Sequence, residues 1–449
     1  MANESILRIT KELSDLQKHS DLSLAVACRD ADVRFVKALI VGPHDTPYEF
    51  GFFEFSVKFN KEYPRKSPSV NALTTNGGRC RFNPNIYASG KVCLSILGTW
   101  RGERGEEWSA AQGLESILLS IQSLMSSNPF ENEPGYEDSN GPEDKRLQKA
   151  YVQKIRHETL RISIIQRLEE YLNIGADGKV KSATAADIED YELMAQEDDA
   201  TLPFEPFKDL CKRRFLWYYE AYLEAIHRAK EEVKDGQQFV KMPFEGGTNS
   251  MDGKFNYTEL ERRLRNIKDI LEKETLQWEN DGLSAKATDS TVAVNLQHQY
   301  EQVVELYKQN DTPHDIQLVN NNPFVWSLTY FGKPMTNLDG GLFRVTLRFS
   351  PHFPEEQPRV KFETKVFHHR IAPDGTPCYI HAATREDAKA HLDAIIEALE
   401  EDDPPYDPRT LVNPEAFRLY WGKNSDDRKV YSRRLRRSVQ QSVEEGLES

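Results

Sequence analysis

Phe82-Asn83-Pro84-Asn85-Ile86-Tyr87-Ala88-Ser89-Gly90-Lys91-Val92-Cys93-Leu94-Ser95-Ile96-Leu97 is the stretch on which the reading of this chain turns. A polar Asn-Pro-Asn turn is followed, eight residues past Asn85, by a thiol set among apolar neighbours. Proline restricts the residue before it and lacks a backbone donor, so the segment is stiff. The same layout recurs in worn form near the C-terminus, where Phe367-His368-His369-Arg370-Ile371 precedes Cys378 at the matching spacing.

The recurrence extends outward. Gly51-Phe52-Phe53-Glu54-Phe55-Ser56-Val57-Lys58-Phe59 corresponds to Gly341-Leu342-Phe343-Arg344-Val345-Thr346-Leu347-Arg348-Phe349, 290 residues on. That offset holds through Tyr63-Pro64 and Phe353-Pro354, through Pro68 and Pro358, and through Val70 and Val360. After a five-residue loss it becomes 285, pairing Asn85 with Arg370 and Cys93 with Cys378. Apolar alternation alone arises by chance; shared prolines and a shared cysteine spacing make duplication the better account.

Between these landmarks, residues 4–19 place Ile6, Ile9, Leu13 and Leu16 on one helical face, with Arg8, Lys11 and Lys18 elsewhere. Residues 33–41 and 52–59 read as strands, separated by turn chemistry at 42–47. Trp108 to Met125 reads as a helix that Ser109 could cap and Pro129 stops, and a further helix spans about 144–172. Past Gly175 and Gly178 the chain turns acidic through Asp199. Helical pattern resumes at about 205–234, Gly246 to Ser250 reads as a loop, and 257–277 as a charged helix. The aromatic run Phe215, Tyr218, Tyr219 and Tyr222 is read as core. Three regions result: 1–172, a helical and acidic linker or insert at 173–290, and a second copy at 291–443.

The 449 residues carry a net charge of −14, which argues against a generic nucleic-acid or anionic-membrane binder. No run approaches the roughly 20 apolar residues of a bilayer span, and the N-terminus lacks a secretory core. Five scattered cysteines indicate neither a disulfide scaffold nor a metal cluster. The expectation is a reducing compartment, cytoplasm or nucleus, with no metal and no cofactor.

A cysteine suits an acyl group that must be handed on, because thiolate is nucleophilic and a thioester stays reactive. Hydrolysis would call for a nearby general-base histidine, and His19, His44 and His157 all lie far from Cys93 in sequence. Transfer of an already activated acyl group to an amine fits better. Asn85 could donate to the developing oxyanion, a contact worth about 3–4 kcal/mol at the transition state. It could equally serve an Asx-type turn, and Cys93 could be a plain buried thiol.

With Tyr63-Pro64, Pro68, Asn83-Pro84-Asn85, Cys93, Trp108-Ser109 and Asn128-Pro129, residues 1 to about 172 resemble a ubiquitin-conjugating enzyme. Gly98-Thr99-Trp100, Asn132-Glu133-Pro134-Gly135 and Ile155-Arg156-His157-Glu158-Thr159 resemble its enlarged Z-type branch. Asn83 stands where the family has histidine, and the Cys93–Trp108 interval, holding residues 101–107, is longer than usual. The resemblance implies an α+β fold: an antiparallel meander sheet with flanking helices, occurring twice here and joined by the helical middle region.

The resemblance also implies roles. Cys93 accepts the C-terminus of ubiquitin or a ubiquitin-like protein from an activating enzyme, and a lysine-bearing substrate then attacks. Asn85 supports the oxyanion or its loop. Glu131, with Asn132 beside it, is the acidic candidate for depressing the lysine pKa; at an ordinary value near 10.4 only about one lysine in 2,500 is neutral at pH 7. The first helix, with Arg8 and Lys11, faces the activating enzyme, and Tyr63, Pro64, Trp108, Ser109 and Ala110 lie near loops that bind a ubiquitin ligase. In the second copy Arg370 stands in place of the asparagine and the Trp-Ser helix opening is missing. Cys378 with Arg370 is thus a second candidate site for a two-site relay, and the alternative is a copy that binds partners or braces the first. A whole chain acting as an inactive scaffold is the competing reading.

Overall fold

The computed structural model describes residues 2–18, 21–102, 105–181, 203–247, 251–380 and 385–448. The acidic run expected up to Asp199, residues 248–250 of the expected loop and residues 103–104 of the interval before Trp108 lie outside them. The chain divides into two compact units, Met1–Cys211 with Ile226–Ile267, and Lys212–Ala225 with Lys268–Ser449.

In the first unit helix α1 (Ala2–Lys18) buries Ile9 and Leu13, while Ile6 is left exposed. Strands β1 (Leu24–Arg29), β2 (Asp32–Val41), β3 (Phe52–Lys58) and β4 (Ser69–Ala72) form an antiparallel meander in that order. Its register pairs Val36 with Val57, Ala38 with Phe55 and Ile40 with Phe53, so the period-two apolar set points into one core. The opposite face is not simply polar. Glu54 is buried there between Lys37 (2.8 Å) and Arg167 (2.6 Å), so the sheet is covered on both sides at this point.

Helix α2 spans Leu114–Leu124 and fully buries Leu114, Ile117, Leu118 and Ile121. It starts six residues later than the sequence reading placed it, and Ser109 is not its cap. Gly113 holds the cap position, and the free Leu114 N–H is taken by the Glu12 carboxylate from α1 (2.9 Å). A carboxylate there also complements the helix dipole. The closing helix runs as α3 (Pro142–Glu158), a π-type stretch (Thr159–Gln166) and α4 (Arg167–Tyr171). Gly51 lies against it so closely that a Cβ would meet Ser163 Oγ at 2.5 Å.

The middle region is helical: α5 (Lys208–Glu232) and α6 (Tyr257–Ala287). In the second unit α7 (Thr291–Gln309) precedes β5 (Asp315–Leu318), β6 (Val325–Phe331), β7 (Leu342–Arg348) and β8 (Arg359–Phe362), again an antiparallel meander. Helices α8 (Ala388–Glu400), α9 (Pro414–Tyr420) and α10 (Ser425–Glu448) follow. β3 and β7 are 290 residues apart at both ends, as are β4 and β8, and the pairs Phe55–Ala72 and Val345–Phe362 hold the same register. Tyr63–Pro64 and Phe353–Pro354 are both cis. The expected fold, two α+β domains with antiparallel sheets and flanking helices joined by a helical region, is the one observed.

Candidate active site

The loop bearing Cys93 is a small hairpin tied to β4. Ile86 bridges Val92, and the Ala72 N–H donates to Gly90 O (2.7 Å). Gly90 turns the chain at φ +90°, where a Cβ would lie 2.5 Å from the Asn71 side chain and 2.7 Å from Ala72 O. Glycine alone fits such a turn without strain. The hairpin brings Asn85 and Cys93 face to face: the Cys93 N–H donates to Asn85 O (2.8 Å), and Asn85 Nδ2 donates to Cys93 O (3.0 Å). The Asx turn is made by the residue before the proline, since Asn83 Oδ1 accepts from the Asn85 N–H (2.9 Å).

Asn83, the departure from the family pattern, is fully buried, and both ends of its amide are used. Its Nδ2 donates to Tyr48 Oη (3.0 Å) and to Leu124 O (2.8 Å), and the Tyr48 hydroxyl donates to Phe82 O (2.7 Å). Asn132 joins the same group through Leu124 O (2.9 Å) and Asn83 Oδ1 (3.4 Å). The C-terminus of α2, the turn before Cys93 and the loop after α2 are thereby fastened by amides. Asn132 is thus brought to the thiol loop, whereas Glu131 is exposed and accepts from Asn128 Nδ2 (2.8 Å).

Three residues absent from the sequence-derived site lie here. The Tyr87 phenol is held above its ordinary pKa by burial first, then by the charge of the Cys93 sulfur and a hydrogen bond with it. The Arg81 guanidinium sits 4.5 Å from the Tyr87 ring centroid and pairs with Glu133 (3.2 Å). Burial pushes the Glu133 carboxyl up, and Arg81 pulls it down. The one sequence signal for Tyr87 was its place two residues beyond Asn85; nothing in the pattern pointed to Arg81.

The second copy repeats the backbone and changes the side chains. The Cys378 N–H donates to Arg370 O (2.7 Å), Ile371 bridges Pro377, and Gly375 turns at φ +90° with a Cβ position 2.2 Å from Phe362 O. The neighbours differ in access. Asn85, Tyr87, Leu94 and Ser95 around Cys93 are half-exposed, whereas His369, Arg370, Pro377 and Tyr379 around Cys378 are all buried. Burial pushes the Cys378 thiol up, opposed by Arg370 and by Arg214 of α5. The Arg214 guanidinium is itself lowered by burial.

Residues 8–159 and, separately, 295–401 match the ubiquitin-conjugating enzyme family. The chain belongs to that family. The ubiquitin-conjugating enzyme E2 Z of Danio rerio is 37% identical over 280 residues, covering 62% of this chain and 73% of that one. Its Homo sapiens counterpart is 35% identical over 296 residues, 66% and 71% of the two chains. The human dual E2 ubiquitin-conjugating enzyme/E3 ubiquitin-protein ligase BIRC6 is 42% identical over 158 residues, 34% of this chain and 3% of that protein.

In this ubiquitin-conjugating fold the residues expected to meet partners fall into two groups. Trp108 Nε1 donates to Pro64 O (2.8 Å), and the Tyr63 hydroxyl donates to Glu12 (2.6 Å), so Tyr63, Pro64 and Trp108 frame one corner with α1. Ser109 and Ala110 stand exposed beside it. Arg8 pairs with that same Glu12 and donates to Gln112 O (3.3 Å), while Lys11 is exposed. Among the described residues no helix is long and apolar enough to cross a membrane, and no cluster of metal-ligating side chains is found.

Proposed function

We propose that the first copy, residues 1–172, carries ubiquitin or a ubiquitin-like protein as a thioester on Cys93 and passes it to a substrate lysine. Membership of the ubiquitin-conjugating family supports conjugation in general, with an activating enzyme, a ligase and a lysine-bearing substrate as partners. The observation that carries the finer reading is the reciprocal pair of bonds between Asn85 and the Cys93 backbone, which sets an amide donor in the thiol loop, where Cys93 is buried beneath half-exposed neighbours. The activated tail arrives as a thioester; the lysine nitrogen attacks its carbonyl, and sulfur leaves. Asn85 anchors the Cys93 backbone through one Nδ2 hydrogen and has a second available for the oxyanion. Asn132 holds the loop, and Glu131 is the solvent-side carboxylate of the same wall.

For the second copy, residues 291–443, we infer a noncovalent role, bracing or partner binding, with residues 173–290 as the helical link. Enclosure of Cys378 by buried Arg370 and Arg214 favours this over a relay. A reducing compartment such as cytoplasm or nucleus suits a working Cys93 thiol. The test is a charging reaction with activating enzyme, ATP and each ubiquitin-like modifier, read on non-reducing gels. A thiol-sensitive adduct lost in Cys93→Ala and kept in Cys378→Ala is expected. The reverse pattern moves the chemistry to the second copy, and no adduct at all leaves a scaffold.

A further inference from the structure

We propose that Arg81 is a positioning residue for lysine transfer, one buried guanidinium that holds the Asn85 loop, the Tyr87 side chain and the Glu133 carboxyl in fixed relation around Cys93. The proposal rests on the thioester reading of Cys93.

Arg81 is 6% exposed, and its fork is used on several sides. Nη2 donates to Pro84 O, inside the Asn-Pro-Asn turn, and to Glu133 Oε2 (3.2 Å). Nη1 donates to Phe244 O (3.4 Å). The plane lies over the Tyr87 ring at 4.5 Å and near the Phe244 ring at 5.8 Å. Phe244 is a firm backstop, packed 5.4 Å from both Phe130 and Tyr151. A planar, permanently charged fork can stack and bridge in this way at once; an ammonium cannot.

The groups it holds are those the transfer needs. The acceptor ammonium first gives one proton to water. The nitrogen lone pair then forms the C–N bond, the C–S bond breaks with its electron pair on sulfur, and a second N–H proton passes to water as the amide forms. The Cys93 thiolate so released accepts from the Tyr87 hydroxyl, which stays protonated at neutral pH. Glu133, half-buried and bonded to Arg81, supplies a negative charge toward the approaching amine only while it is ionised; burial leaves its carboxyl above the usual range, and Arg81 limits that rise.

The test uses the full chain. Arg81→Met, Arg81→Lys, Glu133→Gln and Tyr87→Phe, together with Arg81→Met/Glu133→Gln, are charged and then chased with free lysine across pH 5.5–9. Arg81→Met should charge within about twofold of wild type and discharge about tenfold more slowly, a transition-state loss rather than a binding loss. Its rate should also rise at higher pH than wild type, because the unpaired Glu133 carboxyl stays protonated further up; that displacement should vanish in the Glu133→Gln background. Arg81→Lys should recover part of the pH profile and little of the rate. Discharge of Arg81→Met at wild-type rate, or a pH displacement that persists without Glu133, overturns the proposal. Should Arg81→Met not fold, wild-type discharge by both Glu133→Gln and Tyr87→Phe overturns it equally. Failure of the wild-type chain to charge would strike at the Cys93 reading instead.

Discussion

At Cys93 the question is which groups meet sulfur in each protonation and acylation state. Asn85 touches the backbone of the cysteine, and Tyr87 its side chain. Asn85→Ala should therefore form the thioester but discharge it to lysine about 10²–10³-fold more slowly, the usual loss for one oxyanion donor. Single-turnover chase of purified adduct measures this, and unchanged discharge removes the assigned role. Asn83 was legible as a departure from the family pattern, and its task became clear only with its partners. Its amide reaches α2 at Leu124 O, 41 residues on, a distance in sequence that no local pattern encodes. Arg81 was illegible for a related reason: an arginine before a turn reads as surface, and its four-sided enclosure is completed, beyond its own loop at Pro84 and Tyr87, by Glu133 and Phe244 from distant segments.

At the scale of elements, the turn before each cysteine has no room for a side chain. Gly90→Ala should cost about 1–3 kcal/mol, through both positive φ and the Ala72 carbonyl, and lower the urea midpoint and charging together. Wild-type unfolding of Gly90→Ala would show that the hairpin is softer than drawn. The central strands β2 and β3 were legible from residues 33–41 and 52–59, and β7 from its correspondence with β3, whereas the short strands β1, β4, β5 and β8, and β6, went unread and are fixed by hairpin pairing to their neighbours. The start of α2 was misread for the opposite reason. Ser109 has the right chemistry for a cap, but Glu12, about a hundred residues earlier in the chain, supplies the capping carboxylate at Leu114. Glu12→Ala also strips Arg8 and Tyr63 of their shared partner, and should destabilise the first unit by about 1–2 kcal/mol in urea unfolding.

At the scale of the whole molecule, each unit carries an ion pair, buried in the first and half-buried in the second, that ties the middle region to its own core. In the first, Lys154 and Glu245 are almost wholly enclosed together. Removing one partner leaves a bare charge, so Glu245→Leu should cost about 3–5 kcal/mol, while Lys154→Met/Glu245→Leu should recover much of that. A double-mutant cycle in urea checks it. In the second, Lys268 meets Asp374 at 2.8 Å. Burial opposes both charges, yet the pairing leaves the Asp374 carboxyl below its usual range and the Lys268 ammonium above its own. Stability from Asp374 is therefore full above about pH 4 and lost as pH falls through the lowered value; that from Lys268 is full below about pH 10 and lost as pH rises through the raised one. Asp374→Asn should flatten the acid limb of a stability–pH profile for the second unit, and an unaltered limb would assign acid unfolding elsewhere.

By itself the sequence determined that one fold was used twice, where the strands β2, β3 and β7 lie, and that a thiol follows a turn in both copies. These are properties of spacing and alternation, which depend on near neighbours along the chain. Tertiary structure alone decided that both thiols are buried, Cys93 beneath half-exposed neighbours and Cys378 beneath buried ones under the influence of the buried Arg370 and Arg214. It also decided that Arg81 and Glu133 belong to the site and that Glu12 opens α2. Those outcomes depend on charges and hydrogen-bonding groups brought together from distant segments, where burial removes water and makes each unpaired polar atom costly.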